Sequence, residues 1–480
     1  MNAFEPVIGL EVHVQLKTRT KLFCGDVVEF GAQPNRNVCP VCLGLPGALP
    51  VLNEQAVLLA ARAGTGLECT LHETSIFARK NYFYPDLPKG YQITQFDRPL
   101  ATNGVLAAPD PRAGEFRVRI RRIHLEEDAG KSLHDRLPGR TAIDLNRAGV
   151  PLIEIVTEPD LLSPAHARAF LTRLKQLLQY LGVSDCDMEK GSLRVDANVS
   201  LRKAEATSFG TKTEVKNMNS FANLERALEF EIRRQADLLG NGGRVVQETL
   251  LWDAQRGAAR AMRSKEGSHD YRYFPDPDLP VLELPFERIE RIRASLPELP
   301  RMKVQRFIEQ YSLPAYDAEV LTAERTLADY FEELAAASGN GKIASNWVMS
   351  DVLSHLKLRE QDITEFPLRP DALAHLIRLV LAGTISNTMA RHIFARMLDS
   401  GLGAQEIIAA EGLLQVRDSS QLERWAAEVV AAHPAEAERY RGGDQKLLGF
   451  FMGQLMKKSQ GKADPKLASE IVRQALAGTP

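Results

Sequence analysis

Long apolar segments are missing from this 480-residue sequence. Nowhere do about 18 consecutive apolar residues occur, so the sequence predicts no transmembrane helix. The first residues, MNAFEPVIGLEVHV, lack the basic start and continuous apolar stretch of a secretory signal peptide. Cysteine is scarce as well, and five cysteines fit a reducing compartment better than a disulfide framework. We therefore expect a cytoplasmic protein that does not bind a membrane.

An excess of either charge is also missing. Acidic and basic side chains nearly cancel, leaving a net charge of −2, so the overall charge predicts binding neither to nucleic acid nor to a membrane. Any such contact requires a local basic patch. A Walker A phosphate loop is missing too, because the segment KSLHDRLPGR has the wrong spacing. A bound nucleotide must therefore be held by other means.

The chain changes character near its middle. Short alternating runs and turns rich in Gly, Pro and Asn predict β-strands in the first part, whereas the remainder is a succession of amphipathic helices. One helix interrupts the first part, with Ser163 as its N-cap and Gly182 at its end. The sequence thus predicts an α+β fold, with a mixed β-sheet domain over 1–295, a helical domain over 296–405 and a helical tail over 406–480.

Three strand-like runs carry charged side chains on one face. In VIGLEVHVQL the even-numbered residues are apolar, so Glu11 and His13 project together from the other face, about 7 Å apart. The run SLRVDANVSLR places Asp196 on its polar face in the same way. The run TKTEVKNMNS places Glu214 on its polar side, between two lysines. These side chains are close enough to share a ligand if the strands are neighbours.

A fourth run, FRVRIRRIHLEE, slips phase at Arg121–Arg122, as a β-bulge allows, and then ends in Glu126 and Glu127. Carboxylates gathered on one sheet surface repel one another unless a counter-charge is present. Hard oxygen ligands with one imidazole suit Mg²⁺ or Mn²⁺ better than zinc. We predict a Mg²⁺ site with these ligands: Glu11, His13, Glu126, Glu127, Asp196 and Glu214. The alternative is that the residues form solvated faces of half-buried strands.

Eight segments of the sequence match one protein family. In chain order they are IGLEVHVQLKTRTKLFC, CPVCLGLPGALPVLN, RKNYFYPDLPKGYQITQ, HLEEDAGK, DLNRAGVPLIEIVTEPD, GSLRVDANVS, TEVKNMNSF and DYRYFPDPDL. Together they resemble the B subunit of the bacterial tRNA-dependent amidotransferase GatCAB, in the GatB/GatE family. The resemblance covers most of residues 5–285 and implies a catalytic cradle domain. The helical remainder is similar to that family's helical linker and YqeY-like tail.

The resemblance also implies an activity. A protein of this family is an ATP-dependent carbon–nitrogen ligase with glutamine as the amide-nitrogen donor. It phosphorylates the side-chain carboxylate of mischarged Glu-tRNA(Gln) or Asp-tRNA(Asn), and ammonia from the amidase partner then replaces the phosphate. The implied cofactors are ATP and Mg²⁺. The implied partners in a heterotrimer are the amidase (A) subunit and the small C subunit, together with tRNA(Gln) or tRNA(Asn), and the mischarging aminoacyl-tRNA synthetase is a further candidate.

Residue roles carry over from the resemblance position by position. The catalytic positions that match the family's motifs are Glu11, His13, Glu126, Glu127 and Glu214. Asp196 completes the cation ligands. The positions that match its nucleotide site are Lys80, Tyr82, Lys89 and Gln92, of which Lys80 corresponds to a lysine near the phosphates. The tail offers four lysines near the bend of a helical hairpin as candidate contacts to tRNA phosphates: Lys457, Lys458, Lys462 and Lys466.

Three cysteines lie near one another in the sequence. Cys39 and Cys42 form the motif CPVC, and Cys24 lies one hairpin upstream, which resembles part of a zinc ribbon. The family pattern has a fourth cysteine where this chain has Asp26. Two interpretations stay open: Asp26 completes a structural zinc site, or three cysteines remain from a site that no longer binds metal.

Two other functions compete with the amidotransferase. A non-catalytic tRNA-binding scaffold of the same assembly would keep the family's fold without its chemistry. A metal-dependent nuclease would use the carboxylate cluster to cleave RNA. The sequence does not decide whether Glu-tRNA, Asp-tRNA or both are substrates, because that depends on which synthetases the cell contains.

Overall fold

The structure is a computed structural model that describes residues 4–110, 114–204, 206–262, 271–413, 419–459 and 462–478. It divides the chain into two compact units, one ending at Pro300 and the other beginning at Arg301. The first unit is a mixed β-sheet domain with helices, and the second unit is built from helices. The predicted α+β fold is therefore confirmed.

The strands belong to the first unit and are numbered in chain order. They are β1 (Phe4–Gln15), β2 (Thr70–Leu71), β3 (Thr74–Ser75), β4 (Phe77–Asn81), β5 (Tyr91–Gln95), β6 (Ala101–Asp110), β7 (Gly114–Glu127), β8 (Lys131–Leu137), β9 (Arg140–Asp144), β10 (Pro151–Thr157), β11 (Leu193–Lys203), β12 (Thr213–Lys216), β13 (Thr249–Asp253), β14 (Ala258–Ala261), β15 (Phe274–Pro275) and β16 (Leu282–Glu283).

The helices are numbered in the same way. They are α1 (Pro40–Leu43), α2 (Glu54–Gly66), α3 (Pro164–Tyr180), α4 (Phe221–Gly240), α5 (Phe286–Ala294), α6 (Pro300–Tyr311), α7 (Ala315–Leu321), α8 (Arg325–Ser338), α9 (Gly341–Trp347), α10 (Leu353–Arg359), α11 (Pro370–Leu381), α12 (Asn387–Ser400), α13 (Ala404–Glu411), α14 (Ser419–Ala432), α15 (Pro434–Arg441), α16 (Leu447–Lys458) and α17 (Pro465–Ala477). A π-helical turn, Val348–Val352, joins α9 to α10, and a 3₁₀ turn, Ile363–Glu365, precedes α11.

The main sheet has the strand order β14-β13-β12-β11-β1-β10-β7-β6-β2. Its pairs are antiparallel except β12 and β13, which run parallel. The long strand β1 lies in the middle, between β11 and β10. A smaller sheet, β15-β4-β5, lies beside β7, which β5 contacts. The central position of β1 brings its polar face within reach of side chains from both neighbouring strands.

One face of the main sheet is covered by helices. The apolar side of β1, Ile8 to Leu16 at even-numbered positions, is fully buried and packs with residues of α2, α3 and α4 in one core. Helix α3 begins as predicted, because the Ser163 side chain accepts a hydrogen bond from the His166 N–H. It ends before Gly182, which has a φ of +67°. The charged side chains of the sheet are left on the opposite face.

The predicted bulge is confirmed in β7. Its register against β10 pairs Arg122 with Val156 and Ile120 with Thr157, so Arg121 is the extra residue. Residues before and after the bulge, Val118 and Ile123 among them, both belong to the same buried core. The bulge therefore shifts the core-facing positions from even-numbered to odd-numbered residues, while the same face of the strand stays against the core.

The second unit contains two separate hydrophobic clusters. One is formed by buried residues between Phe307 and Ile408, and the other by buried residues between Leu422 and Leu476. The division of the whole chain at 295 and 405 stays a prediction. Within the ranges described above, no helix combines the length and apolar character needed to cross a membrane.

Candidate functional site

Strand register assembles a cluster of four side chains on the open face of the main sheet. In the register, β1 places His13 opposite Glu154 of β10, and β10 places Glu154 opposite His124 of β7. Glu126 follows His124 by two residues and therefore projects from the same face. We call this group the histidine–glutamate cluster: His13, His124, Glu126 and Glu154.

The contacts within this cluster connect each imidazole to both carboxylates. The Nε2 atom of His13 lies 3.3 Å from Glu154 Oε2 and 3.8 Å from Glu126 Oε1. The Nε2 atom of His124 lies 3.4 Å from Glu154 Oε2 and 3.5 Å from Glu126 Oε2. Thr94 Oγ1 donates a further hydrogen bond of 3.0 Å to Glu126. The carboxylates are thus nearly buried but surrounded by polar partners.

The pKa values in the cluster reflect these contacts between imidazoles and carboxylates. Burial alone would lower the pKa of His124, but Glu154 and Glu126 outweigh it and raise that pKa to about 9. The pKa of His13 is raised as well, because its hydrogen bond with Glu154 and the carboxylate charges exceed the effect of burial. Burial would raise the pKa of Glu154, but the two histidines hold it well below its usual range. The cluster is therefore charge-compensated.

Three members of the cluster fit a divalent cation. One ligand atom each from His13, Glu126 and Glu154 lies within 4.8 Å of the other two. Two carboxylate oxygens and one imidazole nitrogen form a donor set suited to Mg²⁺ or Mn²⁺, which complete their coordination with water and phosphate oxygens. The Nδ1 atom of His124 is buried, and no hydrogen-bond partner for it is found among the described residues.

The other predicted cation ligands lie on the same face, one strand away. Glu11 is opposite Asp196 in the β1–β11 register, and Asn198 donates a hydrogen bond of 3.1 Å to Glu11. Burial, followed by the charges of Glu154 and Glu214, raises the pKa of Glu11. Lys216 Nζ lies 2.5 Å from Asp196 and 2.9 Å from Glu214. Lysine therefore supplies the counter-charge here, where the sequence predicted metal.

Glu127 does not join the cluster. Successive residues of a strand point to opposite faces, so Glu127 projects away from Glu126. Its carboxylate pairs with Lys89 and accepts a hydrogen bond of 2.9 Å from the backbone N–H of Ile93. Asp128 has a third environment, with Gln15 and Arg194 each donating at 2.8 Å. The prediction that Glu126 and Glu127 face one cation is corrected by this geometry.

The predicted nucleotide-binding residues divide into two groups. Lys80 on β4 lies near the cluster, with its Nζ 4.8 Å from the centre of the Tyr271 ring and 5.7 Å from that of Tyr82. Burial would lower the pKa of Lys80, but Glu126 and other negative groups raise it, so the ammonium form is favoured. By contrast, Lys89 pairs with Glu127. Tyr82 donates to Gln92, whose amide donates to the Glu127 carbonyl oxygen at 2.7 Å.

The cysteines form a second, separate cluster in the first unit. The Sγ atom of Cys42 lies 3.0 Å from an Asp26 oxygen, 3.6 Å from Cys24 Sγ and 3.8 Å from Cys39 Sγ. One ligand atom from each of the four residues lies within 4.8 Å of the others. The hydrogen bond with Cys24 lowers the pKa of Cys42 to about 6. This cysteine cluster offers the sulfur-rich, four-ligand set that suits structural zinc.

Comparisons with known proteins identify the family. A family model described as the GatB/GatE catalytic domain matches residues 6–290, and one described as the GatB domain matches residues 329–476. This chain belongs to the GatB/GatE family. It is 51% identical to the B subunit of the aspartyl/glutamyl-tRNA(Asn/Gln) amidotransferase of Chlorobium phaeobacteroides, covering 99% of this chain and 100% of that one. The protein of the same name from Persephonella marina is 50% identical, covering 98% of this chain and 99% of that one. The one from Carboxydothermus hydrogenoformans is also 50% identical, covering 99% of this chain and 100% of that one.

Two residues of the histidine–glutamate cluster, Glu154 and His124, are not among the ligands predicted from the sequence. Glu154 lies in the apolar run PLIEIV, which is typical of a strand buried on both faces, and a lone carboxylate there needs a partner. His124 alternates with the apolar residues Ile123 and Leu125, so the period-two rule that places Glu11 and His13 on the polar face of β1 places His124 on the polar face of β7. Both signals were present in the sequence.

Proposed function

We propose that this chain carries the amidating activity of a tRNA-dependent amidotransferase. It phosphorylates the side-chain carboxylate of mischarged Glu-tRNA(Gln), Asp-tRNA(Asn) or both with ATP, and ammonia then replaces the phosphate. One observation carries the proposal: the histidine–glutamate cluster lies beside the half-buried ammonium of Lys80 in a chain about half identical, over nearly its full length, to named amidotransferase B subunits.

The chemistry requires the groups that this face supplies. A carboxylate is a poor acyl donor, and phosphorylation converts one of its oxygens into a leaving group. Bound Mg²⁺ would be held by His13, Glu126 and Glu154 and would neutralise phosphate charge. Lys80 is positioned to bind a phosphate oxygen, and its ammonium lies over the rings of Tyr82 and Tyr271. Glu11, Asp196 and Glu214 lie on the same face of the sheet as His13, on strands β1, β11 and β12.

Lys89, Tyr82 and Gln92 have a supporting role in this proposal. Each is connected directly or through another side chain to Glu127, at the end of the strand that carries Glu126. They fix the end of β7 and thereby the position of Glu126. Glu127 accordingly acts as a structural anchor and is not assigned to the cation.

The proposal includes partners and a second metal. The relatives are named as one subunit of an amidotransferase, which supports a multi-subunit assembly. We propose that its other members are the amidase (A) subunit and the small C subunit, and that the heterotrimer acts in the cytoplasm. Mischarged tRNA is the substrate, and the tail lysines, such as Lys457 at the end of α16, are proposed contacts to its phosphates. The cysteine cluster binds structural zinc, with Asp26 as the fourth ligand.

A single-turnover experiment tests the proposed reaction. The assembled complex is incubated with γ-labelled ATP, Mg²⁺ and mischarged tRNA, in the absence of glutamine and ammonia. The wild-type complex should form ADP and a labelled acyl phosphate on the tRNA-linked amino acid. The variant Glu126→Gln should slow this step, and added ammonia should not restore it, because ammonia acts later. The matched control is Glu229→Gln, on the exposed side of α4.

The same experiment separates the rival functions. A complex that binds tRNA but forms no ADP above background would contradict the proposal and support a scaffold. Cleavage of the tRNA in Mg²⁺ without ATP would support a nuclease. Running the assay with Glu-tRNA(Gln) and Asp-tRNA(Asn) in parallel determines which substrate is phosphorylated.

A further inference from the structure

Four arginines lie along β7 on the face that carries the histidine–glutamate cluster. Before the bulge, Val118 and Ile120 point into the core, so the odd-numbered residues point outwards. After the bulge, Ile123 and Leu125 point into the core, so the even-numbered residues point outwards. The bulge therefore aligns one arginine row with the cluster residues on a single face: Arg117, Arg119, Arg121 and Arg122.

Three of the four arginines are exposed, and β6 carries no acidic residue opposite them. Arg117, Arg119 and Arg121 are exposed. In the register with β6, Arg117 is opposite Ala107, Arg119 is opposite Val105, and the neighbours of Arg121 are opposite Thr102 and Gly104. Arg119 is held by a bidentate contact to Asp160, with N–O distances of 2.9 and 2.6 Å. Within the part of the chain that the structure describes, Arg117 and Arg121 form no ion pair.

The spacing of the row suits an extended anionic chain. Alternate residues of a strand are about 7 Å apart, so Arg117 and Arg121 are separated by about 13 Å, and Arg121 lies about 17 Å along the strand from Glu126. Parallel guanidinium groups repel one another in the absence of an anion. Guanidinium binds phosphate through paired hydrogen bonds, which makes a phosphodiester backbone a matching ligand for such a row.

We infer that the arginine row binds the phosphates of the unpaired 3′ end of the charged tRNA and guides the esterified amino acid to the histidine–glutamate cluster. This inference rests on the proposed function. It also explains how RNA approaches a face whose cluster is rich in carboxylates, because the row supplies positive charge along the path. An RNA chain following β7 towards its C-terminal end reaches Glu126 and His13 directly.

The test compares two tRNAs and two double variants. Arg117→Gln with Arg121→Gln removes two charges and leaves the Arg119–Asp160 pair intact. The matched control, Arg233→Gln with Arg244→Gln, removes two arginines away from the row, one on α4 and one in the loop after it. Binding of the assembled complex to full-length tRNA and to tRNA lacking its unpaired 3′ end is measured by filter binding at several salt concentrations.

For full-length tRNA, we expect the Arg117/Arg121 variant to raise Kd about tenfold near physiological salt and to reduce the salt slope by about 1.4, because each single-strand phosphate contact contributes about 0.7. For truncated tRNA, the variant and the wild type should bind alike. The control should match the wild type with both tRNAs. If the double variant does not fold, as judged by its thermal unfolding, Arg117→Gln alone should give about half of each effect on a logarithmic scale.

Three results would overturn the inference. An unchanged Kd for full-length tRNA would show that the row does not bind it. An equal loss of affinity with both tRNAs would assign the row to another part of the tRNA. Failure of the folded variant to assemble with its partners would make the row a protein interface. Amidation by the wild-type complex is measured in the same preparation, so that failure of the proposed function is recognised independently.

Discussion

The histidine–glutamate cluster and the cysteine cluster both gather metal-ligating side chains, but they draw them from different distances along the chain. The cysteine cluster comes from a segment of about twenty residues, between Cys24 and Cys42. The histidine–glutamate cluster draws on positions from His13 to Glu154, which lie on three neighbouring strands of one sheet, β1, β10 and β7. A ligand set assembled by one loop is visible as a spacing in the sequence, whereas one assembled by strand register depends on which strands become neighbours.

The two clusters also differ in how they balance charge. The carboxylates of the histidine–glutamate cluster already have two imidazoles as partners, whose pKa values they raise. In the cysteine cluster, the fully buried Lys21 brings its ammonium 3.3 Å from Cys42 Sγ and donates to the Asn37 carbonyl oxygen at 2.7 Å. Substitutions should therefore affect chemistry at the first cluster and metal retention or stability at the second.

The largest effect is expected for Glu154→Gln. This change keeps the shape of the side chain but removes one proposed Mg²⁺ ligand and the partner of both histidines. Amidation should fall about 1,000-fold, which corresponds to about 4 kcal/mol of barrier. Measuring kcat/KM for mischarged tRNA over a Mg²⁺ titration tests this. Activity equal to that of Glu229→Gln would remove Glu154 from the cation site.

The second-largest effect is expected at Glu127, where substitution should reduce stability, whereas substitution of its neighbour Glu126 should slow phosphorylation. Glu127→Gln leaves the nearly buried Lys89 ammonium without its carboxylate, which should lower the free energy of unfolding by about 3 kcal/mol. Urea unfolding of the first unit, followed by fluorescence or circular dichroism, measures the change. Replacing both residues by methionine should recover much of the stability, since no buried charge is left unpaired. A fully stable Glu127→Gln variant with defective Mg²⁺ binding would instead support the original metal assignment.

A smaller effect is expected at Asp26, the proposed fourth ligand of the cysteine cluster. Asp26→Asn should lower zinc affinity about 100-fold, because the amide oxygen carries no charge, and Asp26→Cys should retain zinc. Zinc content after dialysis against a chelator, measured by atomic emission, tests both variants. Equal metal content in the wild type and in Asp26→Asn would exclude Asp26 as a ligand, and a wild type without zinc would exclude the site.

The smallest effect is expected for Lys21→Met, which removes the ammonium behind Cys42. The apolar chain of methionine fills similar space but leaves the Asn37 carbonyl oxygen without its donor, so we expect a loss of about 1 to 2 kcal/mol in stability. Zinc affinity should fall about tenfold, since a charged neighbour of a thiolate ligand is lost. Thermal unfolding with and without zinc measures both effects. Melting temperatures equal to those of the wild type in both conditions would contradict the assigned role of Lys21.

Much of the fold was predictable because it rests on local patterns. The even-numbered apolar residues of β1, the Ser163 cap of α3 and the phase slip at Arg121–Arg122 each depend on neighbours in sequence, and each prediction was confirmed. The family resemblance was also confirmed, through motifs of contiguous residues. Local periodicity determines which face of a strand is buried, because backbone geometry fixes the direction of each side chain.

The composition of the candidate site required tertiary structure. Strand periodicity sends Glu126 and Glu127 to opposite faces, but only the fold places His13 beside the first and Lys89 beside the second. The sequence by itself determined the family, the fold class and which residues could share a face. Only the tertiary structure placed β10 between β1 and β7 and so made Glu154 the common partner of two histidines. The physical reason is that pairing between distant strands depends on long-range packing, which no local pattern encodes.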